Sequence, residues 1–164
     1  MIGVTEQLNE AIPIPAAGIP PQSLTTTTKN SGIVDMRDFN RVRATLYIGA
    51  FGSNANVYLA AYQSQVAAGT NPIIVPGSQV PTLTAASSGP SGPGGSTGND
   101  NEIATLEIIS SQLTAGYRYL YFQVQVDQAA TLICLFIEGC PAYAKPGSQF
   151  NADVVVQETN IPIT

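Results

Sequence analysis

The sequence predicts an all-β protein, a single β-sandwich or jelly-roll-like domain with extended arms at both termini. Several short segments alternate apolar and polar side chains with a period of two, which is typical of strands with one buried face. Turn-forming residues separate these segments, and no stretch of 12 residues has a convincing helical period. The chain has 164 residues, a length that suits one domain with additional arms.

Residues 1–30 are predicted to form an extended, proline-rich N-terminal arm. Isoleucine alternates with proline there, as in Ile12-Pro13-Ile14-Pro15, and proline disfavours helices and central strands because it has no amide donor. The isoleucines require burial against the domain or a neighbouring subunit, unless the segment is a disordered tail. Residues 25–28, all threonine, are a candidate edge strand. We expect a chain without residues 1–24 to remain folded.

The sandwich domain is assigned to residues 31–150. Its first two strands, residues 41–51 and 56–65, flank the turn-forming Gly52-Ser53-Asn54 and are predicted to pair as a hairpin. Shorter strands are predicted at residues 73–75 and 79–83. A Gly/Pro/Ser-rich segment at residues 85–101 is predicted to be a flexible surface loop within the same domain.

Three strong strands complete the predicted domain, at residues 102–109, 117–126 and 131–137. In the second, Leu120, Phe122, Val124 and Val126 are predicted to face inward, with Tyr119, Tyr121, Gln123 and Gln125 outward. The third is almost entirely apolar, which predicts a central strand covered on both faces, with Leu132 buried. Residues 151–164 form the C-terminal strand and tail, with the three valines 154–156 as the strand.

The composition argues against most chemical functions. The chain has no histidine, which removes the commonest general base and metal ligand. Six Lys and Arg and a net charge of −5 leave no basic surface for nucleic acid, and no run of about 20 apolar residues exists for a membrane. Cys134 and Cys140 are too few for a zinc site, and a disulfide between them is possible but not indicated. We therefore expect a non-enzymatic protein without cofactor or metal.

Two features suggest contacts rather than catalysis. Asp35 and Asp38 flank Met36-Arg37; they indicate either a calcium or partner contact or, as we favour, a turn capped by aspartate side chains. Tyr119 and Tyr121 are amphipathic groups suited to interfaces and would form an aromatic patch with Tyr47, unless a second sheet or the arm covers them. The candidate interface residues are Ile12, Ile14, Ile19, Tyr47, Tyr119 and Tyr121.

Three short segments carry a resemblance to small virion proteins of tailed phages. Residues 33–42 are similar to a hydrophobic-Asp-Met, aromatic, Arg-Val pattern with which such domains often open. Residues 112–119 are similar to their Leu, small residue, Ala-Gly-Lys/Tyr-Arg-Tyr segment. Within residues 139–146, Pro141-Ala142-Tyr143 is close to a recurrent Pro-x-Tyr turn. The proline-rich N-terminus and the loop at residues 85–101 are not part of this pattern.

The resemblance implies a capsid decoration, or cement, protein on the outside of a phage head. The expected partners are the major capsid protein and further copies of the chain, as a dimer or a trimer. The expected location is the capsid surface of the virion, after assembly in the host cytoplasm. The alternatives are a head-fibre base or a glycan-binding adhesion module, in which exposed tyrosines stack on sugars, and a carboxylate-based hydrolase, which we disfavour.

Overall fold

Ten strands and one 3-10 turn make up the part of the chain that the structure, a computed structural model, describes, residues 13–84 and 101–142. The 3-10 turn is Ser110–Gln112. The strands are β1 (Ile19–Leu24), β2 (Thr27–Asn30), β3 (Val34–Asp35), β4 (Phe39–Ile48), β5 (Asn56–Ser64), β6 (Ile73–Gln79), β7 (Leu83–Thr84), β8 (Ile103–Ile109), β9 (Tyr119–Asp127) and β10 (Thr131–Pro141).

The strands form two packed antiparallel sheets. Sheet A has the order β1-β10-β4-β8, and sheet B has the order β2-β9-β5-β6, with the two-residue β3 and β7 added beside β9 and β5. Without β3 and β7, eight strands remain, four in each sheet, in the order of a jelly roll built from two Greek keys. The all-β sandwich predicted from the sequence is confirmed.

Strands that follow one another in sequence mostly lie in opposite sheets. Residues 49–55 carry the chain from β4 in sheet A to β5 in sheet B, so the predicted hairpin between these strands is wrong. The connection buries Phe51 and Ala55 between the sheets, and its seven residues exceed the two to five of ordinary hairpin loops. The same change of sheet occurs between β1 and β2 and between β9 and β10.

One apolar core fills the space between the sheets. The inward faces of the long strands follow the predicted alternation, because a period of two is imposed by strand geometry. Phe122 and Leu120 are fully buried on β9, and Leu46 on β4. The buried Gln63 is satisfied at both ends of its amide, since its Nε2 donates to Thr114 Oγ1 (2.9 Å) and its Oε1 accepts from Thr114 N (2.8 Å).

β10 is a central strand of sheet A, as predicted, but only one of its faces is covered. Ile133, Leu135 and Ile137 are buried, whereas Leu132 is 52% exposed and Phe136 is 38% exposed. The prediction that Leu132 is buried is therefore wrong. The apolar run of β10 serves two different surfaces, the core on one side and the protein exterior on the other.

The N-terminal segment is integrated into the body from residue 13 onward. β1 pairs with β10 from Ile19 to Leu24, on the side of β10 that faces away from β4. The ladder shifts register at Pro20-Pro21, as expected for prolines on an edge strand. Gly139 N–H donates to Pro13 O (2.9 Å). A Cβ at Gly18 would collide with the carbonyl of Leu135, so the chain approaches β10 as closely as glycine permits.

Three predicted segments fall outside the described residues. They are the first part of the arm, which includes Ile12, residues 85–100 of the predicted loop, and residues 143–164 with the predicted C-terminal strand.

Candidate protein-contact surface

The outer face of sheet A carries a contiguous group of exposed apolar side chains. We call it the apolar patch and define it by Tyr47, Ile103, Leu132, Cys134 and Phe136. Ile103 is 60% exposed, Leu132 is 52% and Tyr47 is 45%. Strand register brings them together: Cys134 is opposite Tyr47, and Tyr47 is opposite Ile103. Leu132 and Phe136 lie two residues to either side of Cys134 on the same face of β10.

Ion pairs border the apolar patch on the same face. Arg43 Nε donates to Glu138 Oε2 (3.1 Å), and Arg41 Nε lies 3.5 Å from Glu107 Oε1. Arg43 lies opposite both Glu138 on β10 and Glu107 on β8. Exposed pairs of this kind contribute little to stability, but they set the charge pattern that a partner of this face would meet.

Two shallow grooves flank Cys134 where β1 runs along β10. One is lined by Ile14, Ala17, Pro20 and Phe136, and the other by Pro21, Gln22, Tyr47 and Leu132, with Cys134 in both. The adjacent prolines of β1 separate the two grooves. Both grooves are wide open to solvent, and most of their lining is apolar.

The tyrosines of β9 lie on the opposite side of the sandwich from Tyr47. Tyr121 is 6% exposed, and its ring stacks on Tyr62 with 5.6 Å between centroids and 10° between planes. Burial, followed by the neighbouring Tyr62, raises the pKa of Tyr121. The Arg118 guanidinium lies 4.7 Å from the centroid of the Tyr119 ring. The rings of Tyr119 and Tyr121 thus make intramolecular contacts, and they share no patch with Tyr47.

Asp35 connects β3 to the segment that precedes β9. Arg118 donates to it twice, from Nε to Oδ1 (2.7 Å) and from Nη2 to Oδ2 (2.6 Å), and Arg37 Nη2 donates to Oδ2 (2.9 Å). Burial alone would raise the pKa of the Asp35 carboxyl, but the hydrogen bonds from Arg118 and Arg37 outweigh it and lower the pKa. Arg37 N–H also donates to Asp35 Oδ1 (3.1 Å), so the aspartate-capped turn is confirmed.

The structure separates the predicted interface residues. Tyr47 is exposed in the apolar patch and Ile14 lines a groove beside it. Ile19 is 2% exposed and belongs to the core, and Tyr121 is covered by Tyr62. Three exposed residues of the apolar patch, Leu132, Phe136 and Ile103, are not among the contact residues predicted from the sequence. Their signal was the alternate apolar positions on β10 and β8, which a sequence cannot assign to an exposed face without the topology.

Neither a cluster of metal-ligating side chains nor a disulfide is present in residues 13–84 and 101–142. No group of three or more Cys, Asp or Glu side chains in this part of the chain is close enough to hold a metal ion. Cys134 and Cys140 are free thiols. They are six positions apart on β10, about 20 Å at the usual rise, whereas a disulfide requires Cα atoms about 4.4–6.8 Å apart. No helix within the described ranges has the length and hydropathy to span a membrane.

The structure is a jelly-roll sandwich in which the outer face of sheet A carries an apolar patch bordered by ion pairs. Exposed apolar patches rimmed by polar groups are typical of interaction sites in proteins. Comparison with known proteins adds no family, since no protein-family model and no curated protein matches the chain.

Proposed function

We propose that the protein is a structural virion protein, a capsid decoration or cement protein that binds the outside of a phage head. The observation that carries this proposal is the apolar patch. Its side chains on the outer face of sheet A are not covered by any other part of the described chain. In the proposed role this face lies on the major capsid protein, where its apolar side chains leave water. The bound protein then bridges neighbouring capsid subunits and stabilises the shell.

The fold supports the proposal at the level of class. Eight-stranded jelly rolls occur in viral capsid proteins and also in lectins and cupins, so the topology is compatible with a virion role without being specific to it. The low proportion of charged residues, 10% of the chain against about 25% in ordinary soluble domains, also suits permanent contact with other protein.

Hydrogen bonds connect the first of the three segments that resemble phage virion proteins to each of the other two. Asp35 in the first segment binds Arg118 in the second, and Met36 N–H donates to Arg118 O (2.9 Å). Ala142 in the third segment donates its N–H to Asp38 O (2.8 Å). Asp35 and Arg118, which are 83 positions apart in sequence, are thus in direct contact.

Binding to empty shells tests the proposal directly. Purified protein is mixed with empty heads of the encoding phage, and bound copies per shell are counted after sedimentation. We expect saturable binding at a copy number that covers the shell. Leu132→Ser and Phe136→Ser should each weaken binding about 10- to 100-fold, because each removes an apolar side chain worth about 1.5–3 kcal/mol when buried.

The matched control is Gln125→Ser, an exposed position on the outer face of sheet B, which should bind shells like the unaltered protein. Wild-type protein that does not bind, or patch variants that bind as tightly as the control, would refute the proposal.

A glycan-binding module or head-fibre base is the alternative. Lectins also use the jelly roll, but sugar stacking requires an open aromatic face. Of the two tyrosines that motivated this hypothesis, Tyr121 is buried and stacks on Tyr62, and Tyr119 has the Arg118 guanidinium over its ring. The alternative predicts a handful of copies per virion and binding to glycans of the host surface, neither of which a shell-covering cement protein would show.

A further inference from the structure

Within the described residues, three of the four sheet edges carry features that disfavour pairing with a further strand. β1 contains Pro20 and Pro21 and shifts register there. β6 contains Pro76 and Gly77, the latter at φ +74°, and its ladder with β5 is also irregular. β2 is only four residues long and exposes Lys29. Prolines, bulges, lysines and short strands are the usual means of protecting an edge.

The fourth edge, β8, has none of these features, and its one charged residue, Glu107, is paired with Arg41 of the same sheet. Its seven residues contain no proline, glycine, lysine or arginine. It pairs with β4 without a register shift, from Arg41 opposite Ile109 to Tyr47 opposite Ile103. No other strand in the described ranges pairs with its outer side. An unprotected, regular edge with exposed isoleucines is a template for another strand.

The hydrogen-bond pattern identifies which backbone groups of β8 are directed to this open side. Ile48 N–H donates to Glu102 O, so the even-numbered residues of this ladder bond to β4. In antiparallel pairing, N–H and C=O groups alternate between the two sides of a strand. Residues Ile103, Thr105 and Glu107 therefore direct their backbone groups outward. Ile109 follows the same parity, but its N–H already donates to Gln112 Oε1 (2.8 Å).

We propose that β8 pairs antiparallel with β8 of a second copy, with Leu106 opposite Leu106 at the two-fold axis. In this register Ile103 lies opposite Ile109 of the other copy, and Thr105 lies opposite Glu107. Apolar side chains then pair with each other on the outer face. The partly buried Leu106 and Ala104, which pack at the border of the core, gain cover on the inner face.

Neighbouring registers are less favourable. Pairing centred on Glu107 places two like charges opposite each other, which is destabilising. Pairing centred on Thr105 places Ile103 opposite Glu107. The central Leu106 register avoids both contacts. In it Thr105 and Glu107 exchange two backbone hydrogen bonds, whereas Ile103 and Ile109 form only the one from Ile103 N–H to Ile109 O, because Ile109 N–H stays bonded to Gln112.

The proposed dimer joins two copies of sheet A into one sheet of eight strands. Ile103 belongs to the apolar patch and lies next to β8 of the second copy, so the patch continues across the two-fold axis. A heterologous ring would require β8 to pair with a different edge, and the other edges are protected; this selects a dimer over a trimer. The paired surface is the edge of β8, which shares only Ile103 with the apolar patch, and the inference holds whether or not the protein binds a capsid.

Sedimentation equilibrium from about 1 µM to about 1 mM, a range that spans weak association, tests the pairing. We expect reversible dimerisation of the wild-type chain. Thr105→Pro removes an outward amide without touching the bonds to β4 and should raise the dimer dissociation constant at least about tenfold. The matched control, Thr105→Ala, keeps the amide and should dimerise like wild type. Circular dichroism verifies that both variants are folded.

Cysteine cross-linking tests the register and does not depend on the proline variant. In a background with Cys134→Ser and Cys140→Ser, Leu106→Cys should form an intermolecular disulfide, because directly opposite residues of a non-hydrogen-bonded pair have Cα atoms about 4.5 Å apart. Thr105→Cys and Glu107→Cys should cross-link less. A chain that stays monomeric to about 1 mM, a proline variant that dimerises like Thr105→Ala, or preferential cross-linking at position 105 or 107 would overturn the inference.

Discussion

Phe122 and Leu132 show how one sequence pattern leads to opposite environments. Both are large apolar residues on strong strands, yet Phe122 is fully buried and Leu132 is 52% exposed. We expect Phe122→Ala to lower the free energy of unfolding by about 3–5 kcal/mol, because it removes core contacts and leaves a cavity. Urea denaturation followed by circular dichroism measures this difference.

Leu132→Ala is the matched comparison, because it also shortens a large apolar side chain on a long strand, β10, but on the outer face. Because half of its side chain already contacts water, we expect a loss below about 1 kcal/mol. Equal losses for the two variants would mean that the outer face of sheet A is covered in the isolated protein.

The ion pair between Asp35 and Arg118 predicts a pH dependence of stability. Since the folded state lowers the pKa of Asp35, the pair contributes fully above the ordinary carboxyl pKa of 3.8 and is lost as the pH falls through the lower folded value. Asp35→Asn should therefore reduce stability at pH 7, by about 1–3 kcal/mol for charged hydrogen bonds. Its difference from wild type should shrink steadily below about pH 4.

Glu107→Gln is the control for this titration. Its partner Arg41 lies 3.5 Å away, and both side chains are roughly half exposed, so we expect a change below about 1 kcal/mol at any pH. A difference between Asp35→Asn and wild type that persists unchanged at pH 2 would contradict the assigned role of Asp35.

Side-chain direction could be predicted from the sequence, whereas side-chain cover could not. Alternation placed Tyr47 and Tyr121 on outward faces, correctly for both. Tyr121 is nevertheless buried, because Tyr62 stacks on it from the neighbouring strand. Tyr47 is 45% exposed, since none of the described residues covers its ring in the same way. The aspartate-capped turn at Asp35 was predictable since it depends on residues two positions apart. The contact with Arg118, 83 positions away, was not.

The same distinction between local and distant information appears at the level of strands. The sequence predicted the strands at β4, β5, β9 and β10 close to their observed bounds. It did not predict that β4 and β5 lie in different sheets, because a strand with one apolar face is equally suited to pairing beside its neighbour or packing across from it. The seven-residue connection, which buries Phe51, carries the chain across the core, so that β5 packs opposite β4 in the other sheet.

Truncation of the N-terminus tests how much β1 contributes to stability. We expected from the sequence that a chain without residues 1–24 stays folded, but this deletion removes β1 with the buried Ile19 and Leu24. The loss of two such side chains corresponds to about 3–6 kcal/mol, and it also uncovers the edge of β10. We now expect removal of residues 1–24 to unfold or aggregate the protein.

A shorter truncation provides the control. Removal of residues 1–12 leaves every described strand intact, and we expect the midpoint of thermal unfolding to change by no more than a few degrees, as for a loss below about 1 kcal/mol. A longer deletion that unfolds at the same temperature as the shorter one would show that β1 contributes nothing to stability.

For the whole molecule, the shared core predicts that the two sheets unfold together. Buried residues from sheet A, such as Leu46, and from sheet B, such as Phe122, belong to one cluster, so neither sheet retains a core without the other. Urea transitions followed by far-ultraviolet circular dichroism and by tyrosine fluorescence should coincide. Two separate midpoints would indicate that the sheets are independent.

The alternation of consecutive strands between the two sheets also has a consequence during synthesis. Ile19 pairs with Leu135, so a growing polypeptide cannot complete sheet A until more than a hundred further residues have left the ribosome. Because distant partners must find each other before their contacts form, folding of such a topology is slow. Until β10 has been synthesised, the earlier strands expose apolar side chains and unpaired edges. The nascent protein is then most dependent on chaperones.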